Sequence, residues 1–505
     1  MSQSIDSEFG WFRSFFWPIH RHECKKLVPM VLMLFLICLN YSILRPIKDA
    51  VVVNTSGAKA LPIIKVLAIL PMAVVITFIF SKLVNKLSQE RVFYVMISGF
   101  LGYYALYGFV LYPMHEILRP DALVSLMKNW LPANGFFKGL ISITENWTVT
   151  SFYVMAELWS TAILHVLFWG FANEITKVGE SRRFYAVLAV VSNFAAIIAG
   201  MAGDFLSHEQ VFETQVMLIL FVIACGIVTM GIYRWMNVNI LNSSEFDEFH
   251  KTKLELHPKK KISVRESLSY LSKSRYLLCI ATLVVAYNLT INIVEVVWKD
   301  KLSDLYPSTH DYHLCLSRVT FYVGVISTLV SFFLPKMIGR LGWTRASLIT
   351  PVIMLVTSGC FFTFLFFEDS LSGVAMAFFG TSPLALVAFF GAAQNVLSKA
   401  SKYSIFDATK EMAFIPLDHE SKLKGKAAID GVGSRFGKSG GSFIHSGLLM
   451  LFDGVGQSAP VVATVIGAVI ACWITATRSL GKQFAVLTSS KQEPTVQDLK
   501  EARVN

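Results

Sequence analysis

Asn288, Asn292, Glu295 and Lys299 follow one another at i, i+4, i+7 and i+11, the spacing that lines side chains along one stripe of a helix. The residues around them are apolar. An ionisable group at mid-membrane costs about 2.5–3.5 kcal/mol on insertion scales, so it normally faces a partner or a water-filled cavity. Glu295 lies well inside its apolar run and is expected to face such a cavity. Three other places repeat the pattern. Tyr41, Arg45 and Lys48 share a face, with Asp49 next in line; Glu157 has Thr161 and His165 near it; Lys399, Lys402, Tyr403 and Lys410 gather in one late segment. His165 reads as a packing histidine rather than a proton relay. Lys48, Lys299 and Lys410 lie near the ends of apolar runs, where snorkelling competes with a cavity role. Cations outnumber acids in these clusters, and that balance suits a polyanion, phosphates better than sugars or neutral amino acids.

The stretch KGKAAIDGVGSRFGKSGGS, residues 424–442, resembles a phosphate loop at first sight. The P-loop needs a glycine five positions before its Gly-Lys-Ser, after a strand, so that backbone N–H groups curl around the phosphates. Here Val432 holds that position and no strand leads in, so the loop reading fails. Read as a helix, Gly433, Gly437 and Gly441 form a small-residue stripe for close helix contact. Lys424, Arg435, Lys438 and Ser442 fall on the opposite, cationic face.

The elements that must carry these residues follow from composition. The chain has 505 residues, 54% of them hydrophobic, 40 of them Phe and only 16% charged, and its mean hydropathy is +0.55. That excludes an ordinary soluble enzyme. Seven cysteines are scattered singly without metal-ligand spacing or a disulfide framework, so no metal and no cofactor is expected. The net charge of +11 is spread over short loops rather than gathered on one domain, which argues against nucleic acid as a partner.

Runs of roughly 20 apolar residues, enough to cross about 30 Å of hydrocarbon, are expected near 27–44, 61–80, 92–112, 150–172, 184–203 and 214–235. Six more are expected near 276–298, 315–338, 346–367, 383–409, 427–451 and 457–477. No secretory or transit segment is expected within residues 1–26. Lys82, Lys86, Arg91, Arg182, Arg183, Lys336, Arg340, Arg345, Arg478 and Lys482 fall on one side, and Asp204, Glu209, Glu213, Glu368, Asp369 and Asp453 on the other. The basic side is therefore cytoplasmic, with both termini inside. The expected organisation is a cytoplasmic N-terminal segment 1–26, a six-helix bundle 27–236, a basic cytoplasmic linker 237–275, a second bundle 276–480 and a cytoplasmic tail 481–505. The halves echo each other: Asn40 to Lys48-Asp49 recurs as Asn288 to Lys299-Asp300, as expected of repeats in a two-bundle transporter. The fold class expected is an all-α membrane protein of twelve transmembrane helices in two six-helix pseudo-repeat bundles.

The segments RPIKD (45–49), AELW (156–159), FWGFANEIT (168–176), NIVEVVWK (292–299), KEMAFIPLD (410–418), KGKAAID (424–430) and GKSGG (437–441) together resemble the bacterial and plastid ATP/ADP translocase family. The likeness runs from the first expected span through the eleventh. It implies an architecture similar to the major facilitator fold and the exchange or import of nucleotides, typically ATP against ADP, with no hydrolysis. The family's transport-linked charges match Lys48, Glu157 and Glu295, and either Lys438 or Lys426 late in the chain. On that basis Lys48, Arg45, Lys402, Lys438, Arg435 and Lys426 are expected to meet phosphates, Asn292, Tyr41 and Tyr403 the base or ribose, and Glu157 and Glu295 to gate or couple. Gly431-Val432-Gly433 and Ser434-Arg435-Phe436 depart from the family pattern and leave nucleotide choice and coupling open. The resemblance also implies ATP and ADP as partners besides lipid, action as a monomer, and the inner membrane of an intracellular bacterium. Two alternatives stand beside exchange: a proton-coupled importer using Glu157, Glu295 or His165, and a membrane-bound nucleotide enzyme, for which no catalytic pair is visible.

Overall fold

Apolar runs of this length have no choice but helix in a bilayer, where every backbone N–H and C=O must be satisfied within the segment. The computed structural model describes residues 19–176, 178–205, 211–241, 274–368, 370, 373, 376–377, 380–417, 425–426, 428–429 and 433–489, with some helical side chains, Arg182 and Arg435 among them, outside that description. Among these residues the chain is helical without a strand. Lys424, Asp418, Asp430, most of the expected linker and the ends of the chain lie outside the described residues.

In chain order the helices are α1 (Arg21–Ser56), α2 (Ala60–Lys86), α3 (Gln89–Leu111), α4 (Asp121–Trp130), α5 (Gly135–Glu145), α6 (Trp147–Ile175), α7 (Val178–Phe205), α8 (Val211–Met236), α9 (Arg275–Leu305) and α10 (Thr309–Phe366). Then come α11 (Pro383–Ser401), a π-helical turn Lys402–Phe406 that leads straight into α12 (Asp407–Ala413), α13 (Ser434–Leu451) and α14 (Val455–Ser489).

Among the described residues, ten segments are long and apolar enough to cross a membrane. Two of them, Thr309–Leu334 and Lys336–Phe366, lie within α10, which leaves helical geometry at Gly342 (φ 76°, ψ 165°), a left-handed backbone that glycine adopts without strain. The tenth and eleventh expected spans do form helices, α11–α12 and α13, but they are not among the ten. Lys399, Lys402, Asp407, Lys410 and Glu411 dilute the first, and glycines, serines and Lys438 the second. The short helices α4 and α5 between the third and fourth spans were not expected, because neither carries an apolar run of spanning length.

Contacts divide the described residues into two compact units. The first takes those of 1–259, 299–328 and 446–455, and the second those of 260–298, 329–445 and 456–505. In the first, α1 packs against α6, α7 and α8. A Cβ at Gly226 would lie 2.5 Å from the end of the Leu101 side chain, and one at Gly200 2.5 Å from Phe321 Cβ and 2.7 Å from its backbone; at Gly200 only glycine permits the approach. Tyr107 stacks on Phe152 at 4.1 Å. In the second unit Trp343 stacks on Phe484 at 4.8 Å, and Trp473 meets Tyr287 and Phe406 edge-on. Burial separates the helices by role. In its most apolar window α9 is 72% buried and α1 61%, whereas α2 is 11% buried and presents Val74 and Phe78 outward, as a lipid-facing helix does. The expected charge clusters ride on the buried helices.

Candidate functional site

α1 continues unbroken through Pro46, which has no N–H to donate to the carbonyl four residues back, so the backbone is one bond short just before Lys48. The Lys48 ammonium is buried, 3.1 Å from Asp49 Oδ1 and 3.2 Å from Glu157 Oε2, and it stands 3.8 Å from the centre of the Tyr153 ring. The other Asp49 oxygen, Oδ2, accepts from Lys299 Nζ at 2.7 Å. The result is a chain of alternating charge, Glu157–Lys48–Asp49–Lys299, in the first unit. Three members are nearly inaccessible, while the Glu157 side chain is 30% exposed; it is the end of the chain that solvent reaches. Directly after Glu157 the backbone widens into π-helical turns over Ser160–Phe168, a local geometry common at functional sites.

A second pair lies in the second unit. Glu295 on α9 and Lys399 on α11 are both buried and meet at 3.0 Å. Lys402 opens the π-helical turn Lys402–Phe406 and pairs with Asp407 at 3.0 Å. Its ammonium lies 4.7 Å from the Tyr403 ring centre and 6.0 Å from that of Tyr287, so one cation and two aromatic faces are presented together. Lys410 pairs with Glu411 at 3.2 Å, and Lys426 reaches the same carboxylate.

The stripe on α9 therefore divides its partners. Lys299 bonds Asp49 and Glu295 bonds Lys399. Asn292 Nδ2 donates to the Asn288 carbonyl and Asn288 Nδ2 to that of Val284, so both amides turn back along their own helix. Tyr41 and Arg45 are half-buried on α1 and Tyr403 is exposed. His165 is exposed, its Nδ1 2.6 Å from the Ser160 carbonyl oxygen, rather than packed in a core. On α13, Gly437 and Gly441 lie against α9: a Cβ at Gly437 would be 2.8 Å from Asn288 Cβ, and one at Gly441 3.1 Å from Ile293 Cγ1. Gly433 has nothing nearer than 3.8 Å. Lys438 is exposed and Ser442 buried, and the side chain of Arg435 lies outside the described residues.

Asp49 and Tyr153 are members of the first cluster that the sequence did not single out as site residues, nor did it pair Glu295 with Lys399. The signal for Asp49 was present, an acid within a buried run beside Lys48; the cross-helix partners had none. Among the described residues no group of three or more His, Cys, Asp or Glu comes together to hold a metal ion.

Residues 2–484 match the model of the TLC ATP/ADP transporter family. The chain is 42% identical over 507 residues to ADP,ATP carrier protein 1 of Chlamydia trachomatis serovar D, covering 98% of this chain and 95% of that one. It is 39% identical over 487 residues to ADP,ATP carrier protein 1 of Rickettsia conorii, covering 94% and 97%, and 36% identical to ADP,ATP carrier protein 2 of the same Chlamydia over 99% and 97%. Among solved structures, a bacterial homologue of the iron transporter ferroportin in an inward-facing state superposes with a TM-score of 0.52 over 92% of this chain and all of that one, at 14% identity. That likeness is one of fold alone, an all-α arrangement of long apolar helices.

Proposed function

The chain belongs to the TLC ATP/ADP transporter family, and from that premise we propose that it exchanges ATP for ADP across the inner membrane of an intracellular bacterium by alternating access. The observation that carries this reading is the near full-length likeness to ADP,ATP carriers of Chlamydia and Rickettsia. In this reading α11–α12 and α13 complete twelve spans. Residues 27–236 and 276–480 are the two bundles, joined by the cytoplasmic linker 237–275, with both termini cytoplasmic and the monomer as the working unit.

The charge pairs give the mechanism its logic. Lys48 and Lys402, with Arg45, Lys438, Arg435 and Lys426, receive the phosphate oxygens; Asn292, Tyr41 and Tyr403 receive base or ribose. Glu157 and Glu295 hold lysines at 3.2 and 3.0 Å, and an entering polyphosphate replaces them as counter-charge. A buried charge stripped of its partner costs about 3–5 kcal/mol. When the nucleotide leaves, the lysines fall back on Glu157 and Glu295; breaking those pairs with no phosphate to replace them incurs that cost, so the empty transporter waits for a second nucleotide. Exchange follows from that penalty, and the two nucleotide gradients drive it without hydrolysis.

The test is uptake of labelled ATP into liposomes holding the purified protein and preloaded with ADP, GTP, phosphate or nothing. Accumulation in ADP-loaded vesicles alone is expected. Equal uptake into empty vesicles that stops when the proton gradient is collapsed would replace exchange by proton-coupled import, and release of phosphate from ATP in detergent would restore the enzyme reading.

A further inference from the structure

One buried side chain in the second unit has no role in the pairs described above. Ala388, Gly391, Asn395 and Lys399 follow at steps of three, four and four along α11, which makes them one stripe. Both ends of that stripe are fixed against α9. Trp298 Nε1 donates to the Ala388 carbonyl at 3.1 Å, a Cβ at Gly391 would lie 2.1 Å from Trp298 Cδ1, and Lys399 Nζ donates to Glu295 Oε1 at 3.0 Å. Asn395 sits between these contacts. It is 0% exposed, and neither its Oδ1 nor its Nδ2 meets a hydrogen-bond partner among the described residues. Its neighbour Gln394 at least directs Nε2 to Ser358 Oγ at 3.5 Å.

A buried amide with both ends unbonded is destabilising, and an apolar residue of similar shape would fold better there. The amide acquires bonds when a group on this face changes partner, and Glu295, held by Lys399 one turn further along the stripe, is such a group. When phosphate takes the Lys399 ammonium, the buried Glu295 carboxylate loses its lysine donor and gains from another. The Asn395 amide group supplies two N–H donors and no charge, so it can hold the carboxylate without trapping it and yields it again to Lys399. A lysine or arginine in its place would pin Glu295 permanently.

We propose that Asn395 is a positioning residue of the exchange cycle, whose side-chain amide takes over the Glu295 carboxylate when nucleotide phosphate draws Lys399 away. The proposal rests on the exchange reading above and names a residue that reading does not use.

The test uses the full chain, purified for thermal unfolding and ADP binding and reconstituted for ATP uptake into ADP-loaded vesicles. Asn395→Leu is expected to unfold at the same temperature as the wild type or higher without nucleotide. Its ADP affinity and its ADP-induced thermal shift are expected to fall, the affinity by roughly tenfold or more, as for a lost hydrogen bond to a charge. Asn395→Ser, which keeps a short donor and is easily accommodated, should fall between. In a Glu295→Gln background, where no carboxylate is left over, Asn395→Leu should change ADP affinity less than about twofold. Wild-type ADP affinity in both Asn395 variants overturns the proposal, and so does a loss from Asn395→Leu that is as large in the Glu295→Gln background as in the wild-type one. Wild-type protein that fails to exchange ATP for ADP overturns the function beneath it, whereas normal wild-type exchange with an unaffected Asn395→Leu overturns this inference alone.

Discussion

Asp49 carries more than Glu157 although both touch Lys48. Asp49 accepts from Lys48 and Lys299 together, and all three side chains are almost fully buried. Neutralising it leaves two cations in the interior with a weak acceptor, a loss of about 3–5 kcal/mol by the usual scale for breaking a buried pair. Glu157 is 30% exposed, so water compensates much of its loss, which should stay near 1 kcal/mol. Asp49→Asn is therefore expected to lower the unfolding midpoint sharply. Glu157→Gln should leave it nearly unchanged while depressing ATP/ADP exchange on the order of tenfold or more, because it removes the counter-charge that phosphate replaces. Thermal unfolding and vesicle uptake on the same two preparations separate these effects. Equal destabilisation by both substitutions would mean that the exposed end of the chain is as structural as its centre.

At the scale of helices, one relation occurs twice with its polarity reversed. On the first side α1 gives the cation and α6 the acid, Lys48 to Glu157; on the second α9 gives the acid and α11 the cation, Glu295 to Lys399. Tryptophan bonds repeat the reversal: Trp159 on α6 donates to the Ile37 carbonyl on α1, and Trp298 on α9 to that of Ala388 on α11. The glycines of α13 show how close these helices come. A Cβ at Gly437 would press to 2.9 Å from the Val285 carbonyl oxygen as well as on Asn288, while one at Gly433 would touch nothing closer than 3.8 Å. Gly437→Ala should cost about 1–3 kcal/mol as overpacking, and Gly433→Ala less than about 0.5 kcal/mol; chemical or thermal unfolding of the two proteins decides. Much of this was legible in the sequence, because period fixes a face: the Glu295 stripe, the Gly437 and Gly441 contact and the cations of α1 and α11 all follow from spacing. Partners were not legible. Spacing says nothing of the register between two helices, and the π-helical turns at Ser160–Phe168 and Lys402–Phe406 rotate whatever follows them. The helices α4 and α5 escaped for another reason, since a short helix leaves no long apolar run to detect.

Across the whole molecule, strict exchange requires that the cavity never open to both sides, so whatever closes it must outlast the arrival of one nucleotide. Among the described residues of the first unit, three ion pairs join helices of the proposed N-terminal bundle to segments of the proposed C-terminal one: Asp49 with Lys299, Asp204 with Arg318 and Lys138 with Asp453. In the proposed topology all three lie toward the extracytoplasmic side. They are not equal. The Asp204 and Arg318 side chains are 50% and 61% exposed, and Lys138 and Asp453 46% and 62%; exposed pairs contribute about 0–1 kcal/mol and fade with salt. Asp49–Lys299 is buried and is the one whose rupture is expensive. Of these three pairs, closure should then depend on this one. Asp204→Asn and Asp453→Asn are expected to exchange within about twofold of the wild type at physiological salt. Lys299→Met keeps Asp49 paired with Lys48, so the protein should still fold, but the ratio of ATP uptake into ADP-loaded vesicles over empty ones should fall toward one as uncoupled passage rises. Should Lys299→Met remain strictly coupled while Asp204→Asn leaks, closure would rest on the surface charges, and the buried chain from Glu157 to Lys299 would serve binding only.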